Sequence, residues 1–482
     1  MDSLQKEVEA IRAKKEQAVP SVSGVFAEAG GEYRPLEWED QPAAEPEAAM
    51  VILETVYRPD TKKTGFVLWD AARQAWQPVQ EFRTGPLRKL VPYSSHNPLI
   101  RDRVVLFPSE PEEYGTDADL LAAIQAFIHR YMEVGLLYEQ IAAHYVLLSW
   151  IYENFHVLPY LRLRGDPGSG KTRFLEVVGS LCYKPIFASG ASTTSPIFRM
   201  INAFRGTLII DESDFRFSDE KADFVKILNN GNARGFPVLR SETTATKEIM
   251  PASYVVFGPK IVATRSYFED RALESRCITE EMNHNRMRSD IPSSLPSSSR
   301  AEALAIRNRL LLFRFRNLHK MGAKEHLEDP LLEPRLNQIY LPLLSLMEDE
   351  KVRKEVGKFA RAFNRQMVDE RSGETEAQLL SVIRDLWAAS ETLLTMKQIA
   401  DEFEQRHGLD YERRITPRWI GMVIRRSLKL STHRTKDGFV LPKSQQGKVE
   451  NLCAPFGVHA DPPHTPERPS HVHDVHLEAE EE

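Results

Sequence analysis

Apolar residues in the first third of the 482-residue chain follow two different periodicities. Residues 50–57 and 64–69 are rich in β-branched and aromatic side chains and are predicted to be strands. Residues 117–131 and 138–155 repeat apolar positions at helical spacing and are predicted to be helices. We therefore expect a small β-containing N-terminal module over residues 1–112. Its sequence contains no motif that indicates a chemical function.

Short apolar runs then alternate with helix-like stretches through the middle of the chain. Such alternation is typical of a parallel sheet covered by helices on both faces. The runs lie at residues 160–163, 185–188, 207–210 and 260–264. After a Ser- and Pro-rich stretch at residues 283–300, helical patterns continue to about residue 367 and would form a lid. The sequence thus predicts an α/β core over residues 113–367.

The pattern changes after residue 375 to helix, helix, turn, helix and hairpin. Thr395-Met396-Lys397-Gln398 resembles a capping box, Thr416-Pro417 marks a helix start, and Asp437-Gly438 marks a tight turn. Three helices and a hairpin over residues 375–445 predict a winged helix. Residues 446–482 are rich in Pro, His and Glu and are expected to be disordered.

Composition narrows the class of protein. With 42% hydrophobic and 27% charged residues, the chain resembles an ordinary soluble protein. Its three cysteines, Cys182, Cys277 and Cys453, are far apart, which argues against a disulfide framework or a structural zinc site. The sequence carries neither an apolar run of membrane-spanning length nor a signal-peptide pattern. We therefore expect a cytoplasmic protein without a membrane partner.

The strongest chemical signal follows the apolar run at residues 160–163. It reads Gly165-Asp166-Pro167-Gly168-Ser169-Gly170-Lys171-Thr172 and predicts a phosphate-binding loop. Glycines let backbone N–H groups surround phosphate oxygens at a helix N-terminus, Lys171 reaches the outer phosphates, and the Thr172 hydroxyl binds Mg²⁺. The chain lacks the Asn-Lys-x-Asp guanine signature, so ATP and Mg²⁺ are the expected cofactors.

A second motif completes a hydrolytic site. Thr207-Leu208-Ile209-Ile210 is a strand-forming run that ends in Asp211 and Glu212, and Asp211 lies forty residues after Lys171. A buried strand would place Asp211 beside the metal, while Glu212, on the opposite face, would orient or deprotonate the attacking water. An apolar run before two acids is a weak signal alone, but downstream of a phosphate-binding loop it indicates hydrolysis.

The next apolar run ends at Thr264 and leads to Asp270-Arg271-Ala272-Leu273-Glu274-Ser275-Arg276-Cys277. This order of motifs resembles the AAA+ ATPases. The resemblance implies that Thr264 is the first sensor and that Arg276 is an arginine finger for the neighbouring subunit's γ-phosphate, with Arg271 as a second candidate. The alternative is that either arginine forms a surface ion pair.

The resemblance also concerns the helical lid. Arg335, in Glu333-Pro334-Arg335-Leu336-Asn337, is implied to be the second sensor, which contacts the nucleotide from the lid. The same helices offer Arg309, Arg314 and Arg316 as alternatives.

Residues 231–259 separate the Asp-Glu strand from the sensor strand. They contain Asn232-Ala233-Arg234-Gly235 and Gly258-Pro259-Lys260, and resemble the hairpin insertion of replicative helicases related to the minichromosome-maintenance and superfamily-three groups. They also resemble the ATPase domain of replication proteins of phages and mobile islands. The resemblance implies hairpins that hold single-stranded DNA in a central pore. Candidate phosphate contacts are Arg234, Arg240 and Lys247. The alternative is that these are solvated loop charges.

The C-terminal module is strongly basic, since residues 411–448 carry ten Lys or Arg and two acidic residues. In the helix that opens at Pro417, three basic residues share one face, and apolar residues occupy another. The predicted duplex-DNA contacts are Arg418, Arg425 and Lys429 on the helix, with Arg434 and Lys436 on the wing. A winged helix that docks a protein is the alternative.

Together these features predict an ATP-driven DNA helicase or translocase that acts as a homo-oligomeric ring, a hexamer, in phage or mobile-element replication. Two alternatives stay open. One is a DNA-bound ATPase switch that controls assembly at an origin or promoter without unwinding. The other is an ATPase that remodels a protein partner.

Overall fold

The protein forms two compact units, the first ending at Ala360 and the second beginning at Arg361. Each unit contains its own hydrophobic core. The computed structural model describes residues 51–85, 88–190, 192–211, 219–243, 247–268, 270–282, 288–372, 375–389, 393–408, 411, 415–436 and 438–453.

The first unit begins with short antiparallel strands. They are β1 (Val51–Arg58), β2 (Lys63–Asp70), β3 (Ala75–Val79), β4 (Phe82–Gly85) and β5 (Arg88–Leu90). β1 to β3 form one sheet, and β4 and β5 form a second. The two strands predicted at residues 50–57 and 64–69 are confirmed by β1 and β2. β3 was not predicted, because most of its residues are exposed and it has no apolar alternation.

A five-stranded parallel sheet lies at the centre of the first unit. Its strands are β6 (Tyr160–Arg164), β7 (Ile186–Ser189), β8 (Leu208–Asp211), β11 (Lys260–Thr264) and β12 (Cys277–Glu281). They are arranged in the order β12-β6-β11-β8-β7. Two further strands, β9 (Val238–Thr243) and β10 (Ile249–Tyr254), form an antiparallel hairpin between β8 and β11 in the sequence.

Burial explains which strands the sequence could predict. Every residue of β6 and of β11 is buried, as expected for parallel strands inside a sheet. The four predicted apolar runs correspond to β6, β7, β8 and β11. β12 was missed, because its sequence ends in two glutamates and it occupies an edge of the sheet.

Helices precede, connect and follow these strands. They are α1 (Pro98–Arg101), α2 (Asp117–Tyr131), α3 (Leu136–Trp150), α4 (Lys171–Gly179), α5 (Thr194–Phe204), α6 (Asp219–Asn230), α7 (Arg271–Glu274), α8 (Ser298–Asn317), α9 (Pro334–Leu346) and α10 (Glu350–Ser372). α2 begins at a capping box formed by Thr116 and Asp119. α3 packs against α2, α4, α8 and α9, which explains why it is apolar almost all round. Of the helices in the described ranges, none is both long and apolar enough to cross a membrane.

A buried ionic cluster joins the N-terminal strands to the parallel-sheet core. The Glu54 carboxylate on β1 accepts from Lys184 at 2.8 Å, from Arg314 of α8 at 2.7 Å and from the Tyr183 hydroxyl at 2.7 Å. Burial opposes ionisation of Glu54, but the two cations outweigh it and hold the pKa of its carboxyl below the usual value. Trp69 of β2 also stacks on Phe315. Residues 51–112 therefore belong to the same compact unit as the core, and no boundary between units falls at the predicted residue 112.

The second unit contains helices and a small antiparallel sheet. Its helices after residue 372 are α11 (Thr375–Ala389), α12 (Met396–His407), α13 (Pro417–Arg426) and α14 (Gln446–Cys453). α14 lies in the segment 446–482 that was expected to be disordered, and its Val449 and Cys453 side chains are buried in the core of this unit. The strands β13 (Leu394–Thr395), β14 (His433–Thr435) and β15 (Gly438–Leu441) pair in the order β13-β15-β14. The capping box at Thr395 and Gln398 is confirmed, as is the helix start at Thr416 and Pro417. Asp437 of the predicted turn lies outside the described residues.

The Glu54 cluster supports a test of stability. Replacing Glu54 by alanine leaves Lys184 and Arg314 buried without their shared anion, so we expect a loss of about 3–5 kcal/mol in unfolding free energy. Denaturant unfolding followed by circular dichroism measures this loss. The matched control is Glu113→Ala, which removes the exposed partner of Arg316 and should cost less than about 1 kcal/mol. Equal losses in the two variants would contradict a structural role for the cluster.

Candidate nucleotide site and nucleic-acid surfaces

The glycine-rich loop, residues 165–170, connects the carboxyl end of β6 to α4 as its sequence predicted. Gly168 and Gly170 have left-handed backbone angles, with φ of 81° and 93°, which glycine adopts without steric cost. A Cβ at Gly165 would lie 2.4 Å from the Met282 carbonyl oxygen, so a larger residue does not fit there. Because α4 begins directly after the loop, its N-terminal N–H groups add to those of the loop and favour a bound anion.

The Lys171 ammonium lies inside this loop. It donates to the carbonyl oxygens of Gly165 and Asp166, each at 2.6 Å. Burial lowers the pKa of this ammonium, and the Asp211 carboxylate opposes the shift. A phosphate group would offer charged oxygens in place of the two carbonyls, so a rearrangement of one side chain is enough to bring Lys171 to a nucleotide.

Thr172 and Asp211 meet as the motif spacing predicted. The Thr172 hydroxyl donates to Oδ2 of Asp211 at 2.7 Å. Thr172 lies in the first turn of α4 and Asp211 is the last residue of β8, so the fold brings together two residues 39 positions apart in sequence. A hydroxyl and a carboxylate are oxygen ligands of the kind that Mg²⁺ prefers. Glu212, the predicted base, lies outside the described residues.

Thr264 ends β11, the strand between β6 and β8. Its side chain is buried, and its Oγ1 finds no hydrogen-bond partner among the residues that the structure describes. Its carbonyl oxygen accepts from the Gly165 N–H at 3.2 Å, which places the residue directly against the glycine-rich loop. A buried hydroxyl without a partner costs free energy, and at this position it suits contact with a phosphate oxygen. The residues at this edge of the sheet therefore fit ATP and Mg²⁺.

A pocket of about 280 Å³ adjoins the loop, and sequence reasoning missed it. The Arg164 guanidinium lies 3.2 Å from the centre of the Tyr267 ring and pairs with Glu281 of β12. The lining residues are Arg164, Gly165, Asp166, Arg265, Ser266, Tyr267, Glu281 and Met282. Since Glu281 comes from a strand that the sequence did not predict, the pocket could not be assembled from motifs.

Arg276 directly precedes β12, at the amino ends of the strands, whereas the glycine-rich loop lies at their carboxyl ends. A five-residue strand separates its two ends by about 13–16 Å. Nε of Arg276 donates to Oδ1 of Asn232 at 2.9 Å, and Nη1 donates to the Ala272 carbonyl. Arg276 is therefore remote from its own loop and would reach a nucleotide only on another subunit. Arg271 belongs to α7, but its side chain lies outside the described residues.

Arg335 lies in the first turn of α9 and close to Arg276. Burial lowers the pKa of the Arg276 guanidinium, and the positive charge of Arg335 lowers it further. Arg335 therefore lies near Arg276. The alternatives to Arg335 form ion pairs within the unit: Arg309 with Glu112, Arg314 with Glu54 and Glu153, and Arg316 with Glu113.

The three predicted DNA contacts of the hairpin insertion differ in position. Arg234 donates to the carbonyl oxygens of Glu153 and Phe155 and lies over the Phe257 ring, contacts that favour a structural role over phosphate binding. Arg240 lies on the hairpin face that packs on α5, over the Phe198 ring. Lys247 is exposed just before β10, with a left-handed φ of 64°. Of these three, only Lys247 lies where a strand of DNA has open access.

In the second unit, the apolar and the basic residues lie on separate faces, as the sequence predicted. Ile420, Ile424 and Leu428 are buried, while the five predicted DNA contacts are exposed: Arg418, Arg425, Lys429, Arg434 and Lys436. One detail is corrected. α13 ends at Arg426, so Lys429 lies in the turn beyond the helix, with a φ of 52°.

Helix and hairpin share one surface in this unit. The Arg425 guanidinium lies 5.0 Å from the centre of the Phe439 ring and so links α13 to β15. Phe439 is exposed beside it, a contact residue that sequence reasoning did not identify. Its only signal in the sequence was an aromatic side chain on the polar face of a strand.

The position of Thr264 yields a test of the site. Thr264→Val keeps the side-chain volume and removes a hydroxyl that has no partner among the described residues, so the unfolding free energy should not fall. Nucleotide binding should persist because the loop is intact, whereas hydrolysis should slow by about 10²–10³-fold. Binding of a fluorescent ATP analogue and steady-state phosphate release measure the two effects.

The control is Thr207→Val, the same substitution at a buried threonine that directly precedes β8, at the other end of the sheet. It should leave hydrolysis within about twofold of the unmodified protein. A Thr264→Val protein that hydrolyses ATP at the full rate would refute the sensor assignment.

Neither a protein-family model nor a curated protein matches the chain. The apo C-terminal region of NrS-1 aligns with 80% of this chain and 95% of that chain, at 9% sequence identity and a TM-score of 0.35. JCV helicase with a bound inhibitor aligns with 52% of this chain and 62% of that chain, at 13% identity and a TM-score of 0.24.

Proposed function

We propose that the chain is an ATP-driven DNA helicase or translocase that works as an oligomeric ring. One observation carries the proposal: the Thr172–Asp211 contact and the buried Thr264 hydroxyl converge on the glycine-rich loop. A loop that only bound a nucleotide would need neither a metal-binding pair nor a partnerless hydroxyl at the end of the central strand. Their combination favours hydrolysis.

Each residue then has a chemical task. The loop N–H groups and Lys171 would bind the phosphates, and Thr172 and Asp211 would hold Mg²⁺, whose charge would offset that of the phosphates. Thr264 donates to the outer phosphate and positions it. Glu212, the next residue after the metal-binding Asp211, orients the attacking water and accepts its proton.

The arrangement of Arg276 and Arg335 favours a site shared between subunits. Arg276 is at the amino ends of the strands, about a strand length from the loop of its own chain, and Arg335 lies near it. In a ring, a heterologous interface places this end of one subunit against the nucleotide of the next. Positive charge offered there stabilises the negative charge that develops on the transferred phosphate.

DNA is the proposed partner on two surfaces. Lys247 at the hairpin tip contacts the backbone of a single strand, and the second unit presents Arg418, Arg425 and Arg434 to a duplex. Several positive charges on one exposed surface create the salt-dependent attraction typical of nucleic-acid binding.

Mixing two inactive variants tests the shared site. Lys171→Ala removes nucleotide binding and keeps Arg276, whereas Arg276→Ala keeps nucleotide binding and removes the arginine. Each alone should lose ATP hydrolysis, but an equal mixture should regain about a quarter of the sites, because random assembly pairs an intact loop with an intact arginine at that frequency. No recovery in the mixture, or full turnover by Arg276→Ala alone, would refute the shared site.

The helicase proposal has its own assay. The unmodified protein should release the labelled strand of a forked DNA in the presence of ATP and Mg²⁺, and its ATP turnover should rise with single-stranded DNA. ATP hydrolysis and duplex binding without strand release would instead identify a switch. Turnover that is indifferent to DNA would point to a protein substrate.

A substitution at Arg425 tests whether the basic surface of the second unit binds duplex DNA. Arg425→Ala should weaken duplex binding and lower the slope of log K against log salt by about one, since one phosphate contact is lost. Fluorescence anisotropy over a salt series measures both quantities. Lys397→Ala, at an exposed lysine on α12 in the same unit, should leave the slope unchanged. Identical slopes for the two variants would remove Arg425 from the interface.

A further inference from the structure

Residues 231–234, here called the hairpin base, connect α6 to the β9–β10 hairpin and are bound from several directions. The Gly231 carbonyl accepts from Nζ of Lys260 at 3.0 Å, and the Asn232 carbonyl accepts from the Leu158 N–H at 2.7 Å. Ala233 forms a β-bridge with Val157. These contacts fasten the hairpin base to the beginning of the parallel sheet, near the starts of β6 and β11.

Lys260 is the first residue of β11 and binds the segments on both sides of the hairpin. Before the hairpin, its ammonium donates to the Gly231 carbonyl. After the hairpin, it donates to the carbonyls of Val256 and Gly258, each at 2.9 Å. The other end of β11 is Thr264. A Cβ at Gly231 would lie 2.4 Å from this ammonium, so the junction requires glycine there.

Asn232 adds a link to Arg276. Its side-chain amide is buried and accepts from Nε of Arg276 at 2.9 Å. The bond joins the hairpin base to the residue that we assign to the neighbour's nucleotide. A hydrogen bond from a charged group to a neutral acceptor contributes only about 1.5–3 kcal/mol, so phosphate oxygens compete with it effectively.

We propose that Asn232 is a positioning residue that holds Arg276 back from the neighbouring nucleotide until DNA moves the hairpin. The inference rests on the proposed function and says how DNA binding at the hairpin is coupled to ATP hydrolysis at the shared site. DNA at the hairpin displaces the hairpin base, the Asn232–Arg276 bond breaks, and the guanidinium becomes available to the next subunit. Single-stranded DNA thereby stimulates hydrolysis at the shared site.

Two substitutions at Asn232 distinguish positioning from mere packing. In Asn232→Asp the acceptor becomes an anion of the same shape, which holds Arg276 more strongly, so kcat should fall about fivefold with and without DNA. In Asn232→Ala the amide acceptor is gone and Arg276 keeps only its bond to the Ala272 carbonyl. The guanidinium is then held less strongly, so kcat without DNA should rise and the stimulation by DNA should approach onefold. The experiment measures steady-state ATP turnover of the full chain with and without a poly-dT oligonucleotide, together with KM for ATP.

A structural role would move kcat in the same direction in both variants, in parallel with their loss of thermal stability, and that result would overturn the proposal. Asn308 provides the matched control, because it is similarly buried and binds the Ser109 N–H in a distant part of the unit. Asn308→Asp and Asn308→Ala should not change the DNA stimulation.

The Arg276→Ala variant distinguishes a failure of the shared site from a failure of the coupling through Asn232. If Arg276→Ala loses turnover and the Asn232 variants keep normal stimulation, the shared site stands and the coupling through Asn232 is wrong. If Arg276→Ala keeps full turnover, both are wrong. Combining Asn232→Asp with Arg276→Ala should lower kcat no further than Arg276→Ala alone, since both changes act through one guanidinium.

Discussion

The parallel pairing of β6, β8 and β11 is the constraint on which the candidate nucleotide site depends. Because the three strands run in the same direction, their carboxyl ends meet at one edge, and each contributes one part of the site. β6 leads into the glycine-rich loop, β8 ends in Asp211 and β11 ends in Thr264. A slip of one residue in β8 would turn Asp211 to the other face of the sheet and break its contact with Thr172.

The opposite edge of the same sheet carries the elements assigned to neighbours and DNA. The hairpin base, Lys260 and Arg276 all lie at the amino ends of the strands. β11 connects the two edges, with Lys260 at one end and Thr264 at the other, so a rigid buried strand separates the sensor from the hairpin. Under the proposed function, a nucleotide would bind at the carboxyl ends of the strands, and DNA and the next subunit would act at their amino ends.

Many charges in this protein serve the fold rather than the chemistry. Arg162 of β6 pairs with Glu274 of α7, Arg314 and Lys184 surround Glu54, and Lys260 is fully buried among carbonyl oxygens. Burial lowers the pKa of Lys260 to about 7. A basic residue in the sequence is therefore a poor guide to function here, and the contacts of its side chain decide its role. Arg234 illustrates this, since a loop arginine in a hairpin insertion turns out to bind backbone carbonyls.

The amino-acid sequence was enough to predict the glycine-rich loop, Asp211 and Thr264 at the ends of strands, and the helix with its basic face in the second unit. Each is encoded locally, by glycine spacing, by an apolar run that ends in a polar residue, or by helical periodicity. Packing in three dimensions was needed to show that Arg335 lies near Arg276, that Arg314 neutralises Glu54, that β12 completes the sheet and that Asn232 binds Arg276. These depend on residues 44 to 260 positions apart in sequence that meet through packing, and no local pattern encodes which arginine meets which carboxylate or amide.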